Sequence, residues 1–261
     1  MTLKKIILTA AVFLFFSVQA YGAPFKLDKT KVDPRVEISR INDNIWVHTG
    51  RYKLGGAYVA ANGIIAVTKN HAVLIDTQWD DSQTASVLKQ IKHKFGRKVE
   101  LAVITHAHAD KIGGIDTLLK NGIKVISTLD TSDFAAKNNY TRPAAEITKN
   151  PEFICVDGLN MEFYYPGPAH TNDNIVVYFP DYKTLFTGCI IKGINDDNLG
   201  NTEDGDILKY PATVRNLMDR YSMAETIIIS HGKEGGFELL RHTYLVALLK
   251  KIEYEKSRVK N

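Results

Sequence analysis

The sequence predicts an α/β fold, a four-layer sandwich with two sheets packed face to face and helices on their outer sides. Three observations lead there. The first third carries short β-branched runs separated by Asn, Gly and Asp turn signals, the middle alternates strands with segments of helical period, and the last third ends in a long helix. No repeat, low-complexity tract or linker interrupts this order, so one domain over residues 23–261 is expected.

The elements follow in order. Strands are expected at Val36–Ile41, Ile45–Thr49, Ala57–Ala60, Ile64–Val67 and Ala72–Ile75, a β-meander. A helix over Asp80–Phe95 is marked by its Asp-rich start and by Ala85, Val87, Leu88, Ile91 and Phe95 at helical spacing, and Leu101–Ile104 follows as a buried strand. After a polar loop come a helix at Ile115–Asn121, a strand at Lys124–Ser127 and a helix at Ser132–Asn138. Strands are then expected at Phe153–Val156, Met161–Tyr165, Ile175–Phe179 and Thr184–Phe186, followed by a helix at Pro211–Tyr221, a strand at Thr226–Ile229 and a helix at Glu238–Glu255.

The chain of 261 residues, 44% hydrophobic and 24% charged, has the composition of a soluble globular protein with a sizeable core. Met1 to Gly22 reads as a cleaved secretory leader: Lys4 and Lys5, an apolar run from Ile6 to Val18, then small residues at Ala20 and Gly22. That run falls short of the roughly 20 residues a membrane-spanning helix needs. A periplasmic, monomeric protein with no membrane anchor is therefore expected. The net charge of +4 drops to +2 without Lys4 and Lys5, which gives no electrostatic case for nucleic acid. The basic cluster Lys250, Lys251, Lys256, Arg258 and Lys260 is interleaved with Glu253 and Glu255 and reads as a solvated tail.

The chemistry concentrates after the Leu101–Ile104 strand, where His106, His108 and Asp110 stand at alternate positions. In extended backbone alternate side chains share one side, and the carboxyl end of a strand is a common place for a site. His170 lies in a loop between two strands, Cys189 follows the Thr184–Phe186 strand, and His231 follows Thr226–Ile229. Three His plus an Asp, Cys, His trio make two incomplete tetrahedra of the N, O and S donors zinc prefers. The remaining histidines, His48, His71, His93 and His242, read as structural, and Cys155 as an inert buried thiol. With Cys189 assigned to a metal, no disulfide is expected. Asp76 is expected to hold the HAHAD loop from behind, Trp79 to form part of the site floor, and Arg51–Gly56 to form a flap over substrate.

The succession HAHAD, PAH, GCIIK, NLGN and SHG resembles the broad-spectrum di-zinc branch of the class B metallo-β-lactamases, over nearly the whole mature chain. The resemblance implies the metallo-β-lactamase αβ/βα sandwich. It also implies two zinc ions, one on His106, His108 and His170 and one on Asp110, Cys189 and His231. Lys192 would grip the substrate carboxylate, and Asn201 would polarise the lactam carbonyl. The implied activity is hydrolysis of penicillins, cephalosporins and carbapenems by a metal-bound hydroxide that Asp110 orients, without an acyl-enzyme, giving antibiotic resistance. Three positions depart from the family pattern: Thr187 and Ser230 stand where glycine is usual, and Lys111 where arginine is common. A thioesterase or lactonase of the same superfamily usually places histidine after the motif's Asp and a carboxylate at the Cys189 position. An exported zinc-binding protein without catalysis would need the same ligand set.

Overall fold

The computed structural model describes residues 32–259; the leader read over residues 1–22 lies outside them. Among the described residues a seven-stranded sheet runs in chain order. It opens as an antiparallel meander of β1 (Val32–Arg40), β2 (Ile45–Leu54), β3 (Ala57–Val67) and β4 (Ala72–Ile75). It continues in parallel through β5 (Val99–Val103), β6 (Lys124–Thr128) and β7 (Ala144–Ile147), with α1 (Asp81–Phe95), α2 (Ala109–Ile112), α3 (Ile115–Lys120) and α4 (Leu129–Lys137) between them. A five-stranded sheet is ordered β12-β11-β10-β9-β8. Its strands are β8 (Glu152–Val156), β9 (Leu159–Tyr164), β10 (Val176–Phe179), β11 (Thr184–Phe186) and β12 (Thr226–Ile228); α5 (Tyr210–Arg220) precedes β12 and α6 (Glu238–Val259) ends the chain.

Three apolar clusters account for four layers. Ile45, Val47, Ile64, Ile75 and Val103 of the first sheet meet Met161, Phe163, Val177 and Phe186 of the second, forming the central core. Val87 and Ile91 of α1 cover Leu74 and Ala102 on the outer face of the first sheet. Val214 and Leu217 of α5, with Leu240 and Ala247 of α6, cover Val176 and Ile227 on the outer face of the second. Burying each of the larger of these side chains, the alanines aside, stabilises the fold by roughly 1.5–3 kcal/mol. No helix among the described residues is long and apolar enough to cross a membrane.

Several elements differ from expectation. Ala57–Ala60 and Ile64–Val67 are one strand, paired with β2 along its whole length. Asn62-Gly63 reads as a turn in sequence but serves a close approach: a Cβ on Gly63 would lie 2.4 Å from the His48 ring and 2.6 Å from the Ile75 carbonyl oxygen. Arg51–Leu54 continue β2, with Arg51 paired to Glu37 of β1, so the turn of the expected flap shrinks to Gly55-Gly56. The polar loop after β5 contains the single turn α2, and β7 is an exposed four-residue edge strand, AAEI, with one β-branched residue to signal it. Cys155 is exposed, not buried: β8 is an edge strand whose alternation turns Phe153 and Cys155 outward. Both cysteines are free.

His48 is buried in β2, where its Nδ1 lies 2.7 Å from Gln78 Nε2. Burial, aided by the Lys111 charge, lowers its pKa to about 3. Between that value and the ordinary 6.5 the unfolded chain binds a proton that the folded chain does not, so stability rises with pH across this window. From His48 alone the metal-free protein should lose about 1.4 kcal/mol per pH unit on acidification below pH 6.5. Denaturant titrations from pH 4 to 7 on wild type and His48→Gln check this; equal slopes would show that His48 does not contribute.

Candidate metal centre

The site lies where β5, β11 and β12 end on one rim, with the β9–β10 loop beside them. Thr105 to His108 leave β5 as a run of bends, and His108, itself in extended backbone, stands at the N-cap of α2, which carries Asp110. Asp76, at the end of β4 with φ of 64°, accepts the Thr105 N–H (2.8 Å) and the Thr105 hydroxyl (3.0 Å). It therefore holds the HAHAD loop from behind, as expected. Burial pushes its carboxyl up to about 7, against the pull of Lys111 and of both Thr105 contacts.

The three histidine rings form a cage, with His106, His108 and His170 pairwise 4.9–5.1 Å apart at interplanar angles of 77–89°. His108 Nδ1 and His170 Nε2 approach to 3.1 Å, while the buried His106 Nε2 has no hydrogen-bond partner. In the second set Cys189 Sγ lies 3.5 Å from Asp110 Oδ2 and 3.4 Å from His231 Nε2, and His231 Nε2 lies 3.6 Å from Asp110 Oδ2. A tetrahedral zinc with one S, one N and one O donor spans donor separations of about 3.3–3.6 Å, from bond lengths of about 2.0–2.3 Å. The spacing and the orphaned His106 nitrogen both fit zinc. Among the described residues three overlapping sets can hold a metal ion: His106, His170 and Cys189; His106, His108 and Asp110; and Asp110, Cys189 and His231.

The electrostatics suit metal binding. Burial, reinforced by neighbouring positive charge, keeps His106 and His170 far below the ordinary histidine pKa, and burial lowers His231 despite Asp110. Their nitrogens are therefore neutral donors at pH 7. Burial also opposes charging His108, but Asp204 and Asp110 outweigh it and raise its pKa. Burial lifts the Cys189 thiol to about 12, so a metal there must displace its proton. Burial likewise works against the Asp110 carboxylate, yet Lys111 and the histidines hold it well below the carboxylate range.

The remaining expected residues fall as follows. Lys192 is buried rather than a surface lysine; its Nζ donates to the Cys189 carbonyl (2.7 Å), and burial lowers its pKa. A Cβ on Gly200 would lie 3.7 Å from this Nζ, which puts Lys192 beside the Asn201 loop. Asn201 is exposed, and its Oδ1 accepts the Glu203 N–H (3.0 Å). Trp79 stacks on Tyr52 (5.5 Å, 27°) and packs with Ala61 in the turn-side half of the β2–β3 hairpin, with Ala109 against the same cluster.

Residues not anticipated from sequence hold the ligand-bearing loops. Asp204 Oδ2 meets His108 Nε2 at 3.1 Å, leaving Nδ1 as the donor, and the Ala60 carbonyl does the same for His231 through Nδ1 (2.7 Å). Buried Asp173 accepts the Ala107 N–H (3.0 Å) between the two motif histidines. Gly205 presses on the His170 loop, where a Cβ would lie 2.0 Å from the Ala169 carbonyl oxygen. Asp204 is 96 residues from His108, and nothing local in the sequence signals the pairing.

A sandwich of two sheets with a His, Asp and Cys donor cluster on its rim defines a metal-site protein of the α/β class. The sequence profile of the metallo-β-lactamase superfamily matches residues 58–244. A metallo-beta-lactamase type 2 of Bacillus cereus is 38% identical over 208 residues, 80% of this chain and 81% of that one. A metallo-beta-lactamase type 2 of Bacteroides fragilis is 28% identical over 233 residues, 89% of this chain and 93% of that one. Among solved structures, a metallo-beta-lactamase from Pontibacter korlensis superposes with TM-score 0.79 at 36% identity, covering 82% of this chain and 99% of that one. Another from Pseudomonas aeruginosa, in its mono-zinc form, gives TM-score 0.79 at 33% identity, covering 85% and 98%. The chain belongs to the metallo-beta-lactamase superfamily, among its class B metallo-β-lactamases.

Asp76→Ala would strand the Thr105 N–H and hydroxyl as buried donors, weaken the pairing of Lys111 and place alanine at positive φ. It should destabilise the metal-free protein by about 3 kcal/mol or more. Asp76→Asn keeps an acceptor and tolerates the left-handed region, so its loss should be smaller. Denaturant unfolding of both variants checks the order; equal stability of wild type and Asp76→Ala would show that the loop is held elsewhere.

Proposed function

We propose that this protein is an exported zinc-dependent β-lactamase that opens the lactam amide of penicillins, cephalosporins and carbapenems and thereby confers antibiotic resistance. It acts as a periplasmic monomer of one domain, with one zinc on His106, His108 and His170 and a second on Asp110, Cys189 and His231. The observation that carries this reading is the close triangle of Asp110, Cys189 and His231 donors adjoining the histidine cage. A thiolate donor at Cys189 and Lys111 after the motif's Asp disfavour the thioesterase and lactonase readings. The mono-zinc form of the Pseudomonas aeruginosa relative makes stoichiometry the first quantity to measure.

Zinc bound at such a site supplies a Lewis acid and a water whose pKa falls to about 7. The chain's own residues supply the rest. Asp110 shares donor sets with both His106/His108 and Cys189/His231, so its carboxylate can orient a water lying between them. Lys192 presents a buried ammonium with one proton committed to the Cys189 carbonyl, which leaves others for a substrate carboxylate. Asn201 spends its Oδ1 on Glu203, so its NH₂ is the half left to donate to a lactam oxygen. Burial of Asp110 and Lys192 strengthens their interactions over the value in water, whereas Asn201 acts from an exposed loop.

Metal analysis of the fully active protein should give about two zinc ions per chain, and a chelator should abolish turnover of a chromogenic cephalosporin. Full activity with one zinc or none would refute the two-metal reading. Cys189→Ser should lose the second metal and keep the first, because a hydroxyl is a poor substitute for a thiolate on zinc. Lys192→Ala removes a charge-assisted hydrogen bond of roughly 1.5–3 kcal/mol and should lower kcat/KM about 10- to 100-fold with zinc content unchanged. Unaltered kinetics in this variant would mean that the carboxylate is held elsewhere.

A further inference from the structure

The last helix, α6, is packed on one side and bare on the other. Leu240, Val246 and Ala247 lie against the outer face of the second sheet, and on the same side Thr243 Oγ1 accepts the Lys192 N–H (2.9 Å). The opposite face carries Leu245, Leu249 and Ile252, four and three residues apart and so in one stripe, at 60, 61 and 44% exposure. A solvent-facing helical stripe ordinarily holds polar side chains. Single exposed aliphatics are normal on a soluble protein, but three in register make a continuous apolar strip of the kind that marks a docking surface. Residues 252–258 are all exposed, so the last turns of the helix project beyond the sandwich.

The charges along the helix point to what covers this strip. Over residues 241–258 Arg241, Lys250, Lys251, Lys256 and Arg258 stand against Glu253 and Glu255, a net charge of +3. Both glutamates are paired within the helix, Glu253 with Lys250 (3.0 Å) and Glu255 with Lys251 (3.9 Å). Lys256 lies four residues beyond Ile252 and continues the stripe onto the projecting end. Among the described residues neither Lys256 nor Arg258 has a carboxylate partner. Acidic groups gather at the other end of the helix. There the Asp196 carbonyl meets His242 Nε2 (2.7 Å), and Glu238 is spent on the Gly236 N–H (2.7 Å). An apolar strip that ends in unpaired cations complements a surface that is anionic outside and apolar beneath. No described helix is long and apolar enough to cross a membrane, so the fit is to lying on one.

We propose that the exposed face of α6 docks the protein on an anionic lipid bilayer, with Leu249 and Ile252 at the acyl boundary and Lys256 and Arg258 reaching the phosphates. The strip carries no donor of either metal set, so the inference stands apart from the two-metal reading.

The test is vesicle sedimentation of the chain without its leader, residues 23–261. The vesicles are phosphatidylcholine alone and phosphatidylcholine mixed with phosphatidylglycerol. Wild type should partition onto the mixed vesicles and leave them at about 1 M salt, where the screening length falls to about 3 Å. The double variant Leu249→Ser/Ile252→Ser should weaken partitioning about 10- to 100-fold, since it strips the apolar contact. Lys256→Glu reverses one charge and should weaken it about 5- to 30-fold. All three side chains are exposed, so each variant should keep the wild-type unfolding midpoint, zinc content and cephalosporin turnover. Wild-type partitioning in the double variant, equal partitioning onto both kinds of vesicle, or no partitioning of wild type onto the mixed vesicles would each overturn the proposal. Sedimentation velocity without lipid covers the other occupant: self-association that the double variant abolishes would assign the strip to a second copy of the chain and overturn the lipid reading.

Discussion

The side chain and backbone of Asn62 are satisfied from both sheets. Its N–H donates to the Ser230 carbonyl (2.8 Å), its Nδ2 to the carbonyls of Ile229 and Gly232 (2.8 Å each), and its Oδ1 accepts the Thr49 hydroxyl (2.7 Å). Its own carbonyl receives the Lys111 ammonium (2.8 Å). Face to face the two sheets meet through apolar side chains, which set distance but little direction; here, as where Asp173 accepts the Ala107 N–H and Asp157 the Thr68 hydroxyl, the contact is made of directional bonds. The loop bearing His231 is therefore fixed against the first sheet, whose neighbouring segment bears His106, His108 and Asp110. Without that joint the carbonyls of the buried Ile229 and Ser230 would be left short of partners where water cannot replace them.

The donor cluster is expensive to fold. Three histidines meet as a desolvated cage, a thiol is held near a carboxylate, and burial, reinforced by neighbouring charges, keeps His106, His170 and Cys189 from charging. The protein tolerates this because the cluster lies at the rim and not between the sheets, where Phe163, Phe179 and Phe186 make a continuous apolar core. The supporting carboxylates take different partners along this segment: Asp76 accepts from Thr105, Asp173 from the Ala107 N–H and Asp204 from the His108 ring. Rigidity at the site thus comes from hydrogen bonds to backbone, and stability from cores on either side.

Much was legible from local pattern. The strand at Ala72–Ile75 and the helix capped by Asp80 follow from periodicity and capping chemistry that act within a few residues. Misreadings came where a local signal served a distant partner. Asn62-Gly63 has turn chemistry, but its freedom is used for His48 and for the second sheet. Cys155 has the neighbours of a buried strand, but β8 is an edge, and an edge is a property of the whole sheet.

By itself the sequence determined which side chains are candidate donors and in what order they come: His106, His108 and Asp110 in one motif, with His170, Cys189 and His231 each near the end of a strand or in the loop between two. It could do so because donor chemistry belongs to the side chain, and each candidate lies close to the end of a strand that its own β-branched pattern announces. Only the tertiary structure decided that His108 is oriented by Asp204, that Asp173 holds Ala107, and that Lys111 and Ser230 meet at Asp110. Those pairings cross as many as 120 residues of chain, and a separation of that size leaves no periodicity to read. They exist because two sheets closed over a common core and brought the ends of their strands to one rim.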